Sequence, residues 1–471
     1  MSPRQLQARE LLVGVDRSHD LPVGRQLEDQ LRTAIRSGAL SAGSDLPSTR
    51  ALAEDLGVSR GVVVRAYAQL AAAGYLHLRQ GANPRVRDIP RTQPAPDPAP
   101  SETGATKIRY DLRAHQPEVA TFPRQLWLRC VRDALAGATN ADLGYVDERG
   151  IQRLRIEVAD YLGRARGVVA DPDSIVVTAG ATHALSLISR ALARSGSTRM
   201  AFENPSHQML HTVAERAGQT PVGIPVDEKG LRSDMLADVD SVVVSPAHQF
   251  PTGVALAADR RAALVGWARR TGGFVLEDDY DAEFRYDRGP IGAVQGLSPE
   301  HVAYIGSTGK TLAPAIRLGW AVLPPGLLDE VAAELSTSML HVAGIDQLAF
   351  AEFLRRGEFD RHLRRMRTIY RARRDVLVDA LAKHLPDLFV SGIAAGLHVV
   401  VELPSRELET AAVEQARSAG VLVQSISQHA LPGYDGPPGL LVGYGCVPEP
   451  TLPHAVERLA LAIHAAARRA A

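Results

Sequence analysis

The sequence predicts two unlike folded parts. The first is a small α+β module with a helix-turn-helix and a two-stranded wing; the second is a large α/β domain that ends in a smaller α+β subdomain. Three observations predict this. Two short helical patterns joined by "GVS" precede an alternating hairpin within the first 88 residues, residues 88–106 are rich in proline and poor in apolar side chains, and from about residue 110 short β-branched runs alternate with helical stretches. At 471 residues the chain is too long for one core, so the expected organisation is a module at 1–88, a linker at 89–109 and a large domain at 110–471.

In the module, "RQLEDQLRTAIRSG" places Leu27, Leu31 and Ile35 at helical spacing, with Gly38 as a stop. "LPSTRALAEDLG" offers Ser48 as an N-cap, Leu52 and Leu56 as the apolar stripe and Gly57 as a terminator. "VSRGVVVRAYAQLAAAG" restarts a helix at Ser59, with Val63, Tyr67 and Leu70 turned inward and Gly74 closing it. "YLHLRQGANPRVRD" then alternates on both sides of a glycine turn, which predicts the wing. "DIPRTQPAPDPAPSETGAT" cannot bury enough apolar surface to fold and reads as an extended linker. In the large domain "SIVVTAG", "SVVVSP", "GGFVLEDDYD" and "HVAYIGSTGK" are apolar runs that each end in polar residues. A buried parallel sheet with functional groups at the carboxyl ends of its strands gives that pattern. After about residue 325 the chain turns helix-rich, then supplies "GLHVVVEL", "VLVQSIS" and "GLLVGYG" for the smaller subdomain.

Composition narrows the classes. Formal charge is balanced at 53 against 53, which argues against a uniformly basic coat, yet from Leu56 to Arg87 there are five arginines (Arg60, Arg65, Arg79, Arg85, Arg87) and no carboxylate. One sign of charge over a second helix and a wing suits a phosphate backbone. Two cysteines, Cys130 and Cys446, without paired spacing argue against structural zinc and a disulfide framework, so no metal is expected. "MSPRQLQARE" has no apolar signal core and no 18-residue apolar run occurs; a cytoplasmic protein is expected.

Through "LPSTRALAEDLGVSRGVVVRAYAQLAAAGYLHLRQGANPRV" the module resembles the winged-helix domain of GntR-type bacterial regulators. The resemblance implies binding to a double-stranded DNA operator through Arg50, Ser59, Arg60, Arg65, Gln80 and Gly81. Arg60, near a helix N-terminus, suits a guanine edge in the major groove, and Gly81 lets the wing approach the backbone closely. Gly61 stands where that family often has threonine, which removes one polar contact.

"HVAYIGSTGKTLAPAIRLGW" is the chemical centre of the large domain. It is not a P-loop, because Tyr304 occupies the position where that loop needs glycine. Arginine outnumbers lysine 49 to 4, so a lysine in a glycine-flanked loop invites a role that needs a primary amine, although a solvated surface cation is the plainer alternative. Three strand ends fit one another. Gly180, Ala181 and Thr182 sit at a strand-to-helix turn that favours an anion, Asp278 and Tyr280 follow a buried strand, and Ser307, Lys310 and Arg317 follow another. Taken singly, the acidic run also reads as a surface turn. Together these are the parts that pyridoxal 5'-phosphate requires: Lys310 to form a Schiff base, Asp278 for the pyridine nitrogen, Tyr280 for the ring hydroxyl, and Arg317, Ser307 and residues 180–182 for the phosphate.

Residues 110–465 resemble a fold-type I aminotransferase, and "VSPAHQFPTG", "VLEDDYDAEFRY" and "TGKTLAPAIRLGW" are similar to the corresponding phrases of MocR-type regulators, which fuse that fold to a GntR-type winged helix. The resemblance implies a homodimer, the same four cofactor roles for Lys310, Asp278, Tyr280 and Arg317, and either His248 or Gln249 near the ring oxygen. It puts His207 where an aromatic residue usually covers the ring, and Gly309 where serine usually precedes the lysine. Aminotransferases also grip the substrate carboxylate with a C-terminal arginine, whereas Ser418 to Glu457 contains neither arginine nor lysine. The expected function is therefore a DNA-binding regulator that senses pyridoxal phosphate or an amine reacting with it, in vitamin B6 or amine metabolism, with little or no turnover. The alternative is a working aminotransferase with a fused DNA-binding module. The helix 361–375 carries seven arginines and reads either as a second DNA surface or as a solvated or dimer-facing helix. Gln424 and His429 read either as effector contacts or as core residues.

Overall fold

In a computed structural model of the chain, the described residues are 13–18, 20–89, 108–286, 291–338 and 341–470. They fall into two compact units, Met1–Gly104 and Ala105–Ala471. The proline-rich stretch 90–107 lies outside the described residues. Arg109, expected to be the last linker residue, already belongs to the second unit: its N–H donates to the Gly420 carbonyl at 2.8 Å.

The first unit has helices Val23–Arg36, Thr49–Asp55 and Arg60–Ala72, followed by strands β1 (Leu76–His77) and β2 (Arg85–Val86) paired antiparallel. Leu27, Leu31, Ile35, Leu52, Val63, Tyr67 and Leu70 are buried in one core, as their helical spacing requires. Ser48 caps the second helix by accepting from the Ala51 N–H at 3.2 Å. Ser59 precedes the third helix in extended conformation, but its hydroxyl makes no capping bond and stays exposed.

The second unit is built on an eight-stranded sheet of β4 (Ile175–Thr178), β5 (Arg199–Asn204), β6 (Thr220–Asp227), β7 (Gly230–Leu231), β8 (Ser241–Val244), β9 (Phe274–Asp279), β10 (Val302–Ser307) and β11 (Gly319–Val322), in the order β4-β11-β10-β9-β8-β5-β6-β7. The sheet is mixed, not the parallel sheet the strand patterns suggest: β11 runs against both neighbours and β7 runs against β6. This has a functional consequence. β4, β5, β8, β9 and β10 share a direction, so their carboxyl ends lie along one edge, and β11, entering from the opposite sense, starts at that same edge with Gly319 opposite both Ser307 and Thr178. Residues just after five strands and just before a sixth are therefore brought together.

The sheet is buried on both faces by hydrophobic clusters. β3 (Tyr110–Asp111) pairs with β14 (Val421–Leu422), and a four-stranded antiparallel sheet of β12 (Val390–Ser391), β13 (His398–Glu402), β15 (Gln424–Ser425) and β16 (Gly439–Gly443) forms the smaller subdomain with helices Arg406–Ser418 and Leu452–Ala470. "VLVQSIS" is thus divided between two sheets. No helix among the described residues is long and apolar enough to cross a membrane.

Candidate cofactor cavity and DNA-facing surface

A cavity of about 210 Å³ opens at the shared strand edge, and its wall includes Gly180, Ala181, Thr182, His207, Asp278, Tyr280, Ser307, Lys310 and Arg317. Nine of the ten residues expected to meet the cofactor are thus collected from separate strand ends.

The floor is set by strand alternation. Along β9, Asp278 faces the cavity, whereas Asp279 turns the other way, pairing with Arg166 at 2.8 Å and accepting from the Tyr304 hydroxyl at 2.7 Å. Asp278 Oδ1 is buried with no hydrogen-bond partner among the described residues. Burial, reinforced by Asp279 and Asp281, raises its carboxyl to about 7 against the pull of Lys310.

Lys310 stands on the short helix Thr308–Thr311 directly after β10. Its Nζ donates to the His115 carbonyl at 2.8 Å. Burial lowers its pKa from the ordinary lysine value, while Asp281 and Asp278 oppose the shift. The Thr308 N–H and hydroxyl both donate to the Leu318 carbonyl at 2.9 Å, stapling the lysine turn to the segment that carries Arg317. Arg317 itself adopts a left-handed backbone, φ 52°, and its exposed guanidinium pairs with no carboxylate among the described residues.

The phosphate-like end is built by helix Ala181–Arg194. Its N-cap, Gly180, has φ 109°, a conformation that favours glycine, and a β-carbon on Gly319 would stand 2.8 Å from Gly180 Cα. Two glycines let β4 and β11 close on each other, so that the first N–H groups of the helix line the cavity.

His248 is the tenth residue, and it is not in the wall. It stands behind Tyr280, with Nδ1 2.9 Å from the phenol oxygen and 3.0 Å from Asp281 Oδ2. Gln249 is also turned away, donating to the Pro205 carbonyl at 2.7 Å and accepting from the Thr252 hydroxyl at 2.7 Å. Direct contact by either side chain with a ring oxygen therefore gives way to an indirect arrangement in which His248 and Asp281 fix the phenol.

In the first unit, Arg50, Ser59, Arg60, Arg65, Gln80 and Gly81 are all exposed. Arg60, Gly61, Val64, Arg65 and Ala68 form one continuous exposed face of helix Arg60–Ala72. Gly81 turns the wing with φ 78°. Arg85 is not a free cation: it bonds Asp45 through Nε at 2.8 Å and ties the wing to the preceding loop.

The chain matches the aminotransferase class I and II family over residues 118–459 and the bacterial gntR regulatory family over residues 24–86. It is 32% identical over 446 residues to the pyridoxine biosynthesis transcriptional regulator PdxR of Corynebacterium glutamicum, covering 94% of this chain and 96% of that one. It is 29% identical over 471 residues to the transcriptional regulator TauR of Rhodobacter capsulatus, covering 93% and 96%. The chain is a MocR-type regulator of the gntR family. Among solved structures, an archaeal alanine:glyoxylate aminotransferase superposes with a TM-score of 0.69 at 26% identity, covering 77% of this chain and 92% of that one.

The cofactor of this MocR-type domain is pyridoxal phosphate, and the wall fits it. A carboxyl oxygen buried without a partner suits a ring nitrogen that carries a proton, a half-buried amine suits the aldehyde, and a helix N-terminus with an unpaired arginine suits the phosphate.

Residue patterns missed several members of the wall. His115 holds a left-handed backbone, φ 68°, with its ring 3.9 Å from that of Phe250. Glu203, at the end of β5, accepts from the Ser245 N–H at 2.9 Å through Oε2 and is raised by burial to about 8. Gln424 and His429 touch each other at 3.4 Å outside the wall, with the His429 ring 4.9 Å from Phe250. In the arginine-rich helix, Arg365 and Arg367 donate to the Thr121 and Glu283 carbonyls and Arg373 pairs with Glu118. Those three are structural cations.

Proposed function

We propose that this MocR-type regulator senses pyridoxal phosphate, or an amine that reacts with it, and converts occupancy of the cavity into a change in how its winged helices engage an operator. The observation that carries the reading is the pairing in one wall of the half-buried Asp278, whose Oδ1 is buried without a partner among the described residues, with the half-buried amine of Lys310. When bound, the cofactor supplies an aldehyde that captures primary amines and a ring that draws electrons from them. Lys310 holds the aldehyde end and Asp278 the ring nitrogen. Tyr280, positioned by His248 and Asp281, meets the ring hydroxyl. Ser307, Arg317 and the N–H groups at Gly180, Ala181 and Thr182 hold the phosphate, and His207 covers the ring. Arg60 reads base edges, whereas Arg50, Ser59, Arg65, Gln80 and Gly81 meet the phosphate backbone.

Sensing is favoured over turnover because Lys310 and Arg317 are the cations of the wall, and both serve the cofactor. A transaminase needs a further cation to hold the substrate carboxylate in register, so any transaminase activity is weak. Relatedness to a pyridoxine-biosynthesis regulator supports genes of vitamin B6 supply as the target, in a cytoplasmic homodimer. The exposed apolar side chains of Leu128, Leu143 and Tyr145 supply a surface for the second copy.

The test combines cofactor absorbance with operator binding in wild type and Lys310→Ala. Wild type should show a visible band on reconstitution and an operator affinity that responds to the cofactor; the variant should lose both. Rapid turnover of amino donors without sequence-specific DNA binding would overturn the reading.

A further inference from the structure

Helix Arg60–Ala72 sorts its side chains by depth. Val63, Tyr67 and Leu70 turn into the core of the first unit, while Arg60, Gly61, Val64, Arg65 and Ala68 are exposed. Val64 is 44% exposed. A single exposed valine carries no meaning by itself; its setting on this helix does. Arg60, Val64 and Ala68 stand four residues apart, so they form one ridge in which each step climbs about 6 Å and turns about 40°. Arg65 borders the ridge, and from Leu56 to Arg87 there is no carboxylate. The ridge therefore carries a cation at its start, two aliphatic side chains after it, and no group that would repel a phosphate.

Arg60 is also held from the preceding helix, because its Nε donates to the Thr49 hydroxyl at 3.4 Å. Gly61 beside the ridge and Ala68 within it are small, which lets the helix backbone come close to the surface the ridge faces. Base edges in the major groove present hydrogen-bonding groups at every pair but only one apolar feature, the C5 methyl of thymine. Valine has neither donor nor acceptor, so against any other base it would strip water from a polar edge and return nothing.

Resting on the reading of this helix as the operator-facing one, we propose that Val64 is a specificity-determining residue that packs on the C5 methyl of a thymine about two base pairs from the guanine read by Arg60. The spacing follows from the ridge, since a climb of about 6 Å spans about two base pairs of about 3.4 Å each. Arg60 supplies the polar half of the readout and Val64 the apolar half.

The test uses the full chain and a half-site duplex that wild type selects from a randomised pool. Each thymine is replaced in turn by deoxyuridine, which removes the methyl and keeps every hydrogen-bonding group. One thymine, about two base pairs from the pair whose discrimination Arg60→Ala relaxes, should lose about fourfold in affinity on replacement, the worth of one buried carbon. Val64→Ala should weaken binding to the thymine duplex by a similar factor and bring the deoxyuridine penalty below about twofold. Its melting temperature should not fall, because the side chain is exposed. Wild type that selects a half-site yet is indifferent to every deoxyuridine replacement would overturn the proposal and leave the DNA-binding reading standing, and that result needs no variant. A selected half-site with no thymine at that spacing, or a penalty that stays about fourfold in Val64→Ala, would overturn it equally. Failure to select any sequence would sink both.

Discussion

Asp278 and Asp279 are adjacent and chemically identical, and the pleat alone separates their roles. Asp279 is neutralised by Arg166, while Asp278 is left facing a cavity with a carboxyl raised to about 7. A carboxyl whose folded pKa lies above its unfolded value of 3.8 keeps its proton longer in the folded chain. Stability from this group is therefore greatest at low pH, falls between about pH 4 and pH 7, and stays at its lower level above that. Asp278→Asn should thus stabilise the cofactor-free protein by up to about 4 kcal/mol at pH 8 and by almost nothing at pH 4. The same variant should gain much less than wild type from added pyridoxal phosphate. Melting curves across pH, with and without cofactor, check both; a stabilisation by Asp278→Asn that is equal at pH 4 and pH 8 would contradict the assignment. Lys310 was legible because lysine is so scarce in an arginine-rich chain, and Asp278 because it stands at the polar end of a buried apolar run. His115 was not, because its place depends on a left-handed backbone and on a partner 195 residues away, and neither leaves a local pattern.

At the scale of elements, the module's three helices and wing follow from apolar spacing and glycine stops, all local properties. The sheet was legible only in part. β5 contains no β-branched residue, and β6 is interrupted by Pro221, Gly223 and Pro225, which it tolerates beside the two-residue edge strand β7. The reversed direction of β11 has no local signature either, yet it brings Arg317 to the cavity. Gly319→Ala should separate β11 from β4, since its β-carbon would stand 2.8 Å from both Gly180 Cα and the Gly306 carbonyl oxygen. Cofactor affinity should fall about tenfold or more while far-ultraviolet circular dichroism stays unchanged; unaltered affinity would show that this approach does not shape the phosphate end. On helix Arg60–Ala72, Arg60→Ala should cost about 1–3 kcal/mol at the operator and relax discrimination at one base pair. Arg65→Ala should weaken all sequences alike and reduce the salt slope by about one. Binding titrations at several salt concentrations separate the two, and identical behaviour of both variants would refute the division of roles.

For the whole molecule, one winged helix offers a single short reading face, and the affinity expected of a regulator requires two acting together. Linking two modules makes the second contact intramolecular and multiplies affinity without any new contact. In the proposed homodimer that linkage falls to the second unit, where Leu128 and Leu143 are 61% and 59% exposed and would be covered by the second copy. Placing a carboxylate at each, in Leu128→Asp combined with Leu143→Asp, should shift the protein from dimer to monomer in sedimentation. Neither side chain lines the cavity wall, so loss of the dimer alone should lower affinity for a two-half-site operator by about 100-fold and leave binding to an isolated half-site unchanged. If the double variant stays dimeric, the interface lies elsewhere. If it becomes monomeric and still binds the full operator as wild type does, a single winged helix suffices and paired presentation is not how this regulator finds its site.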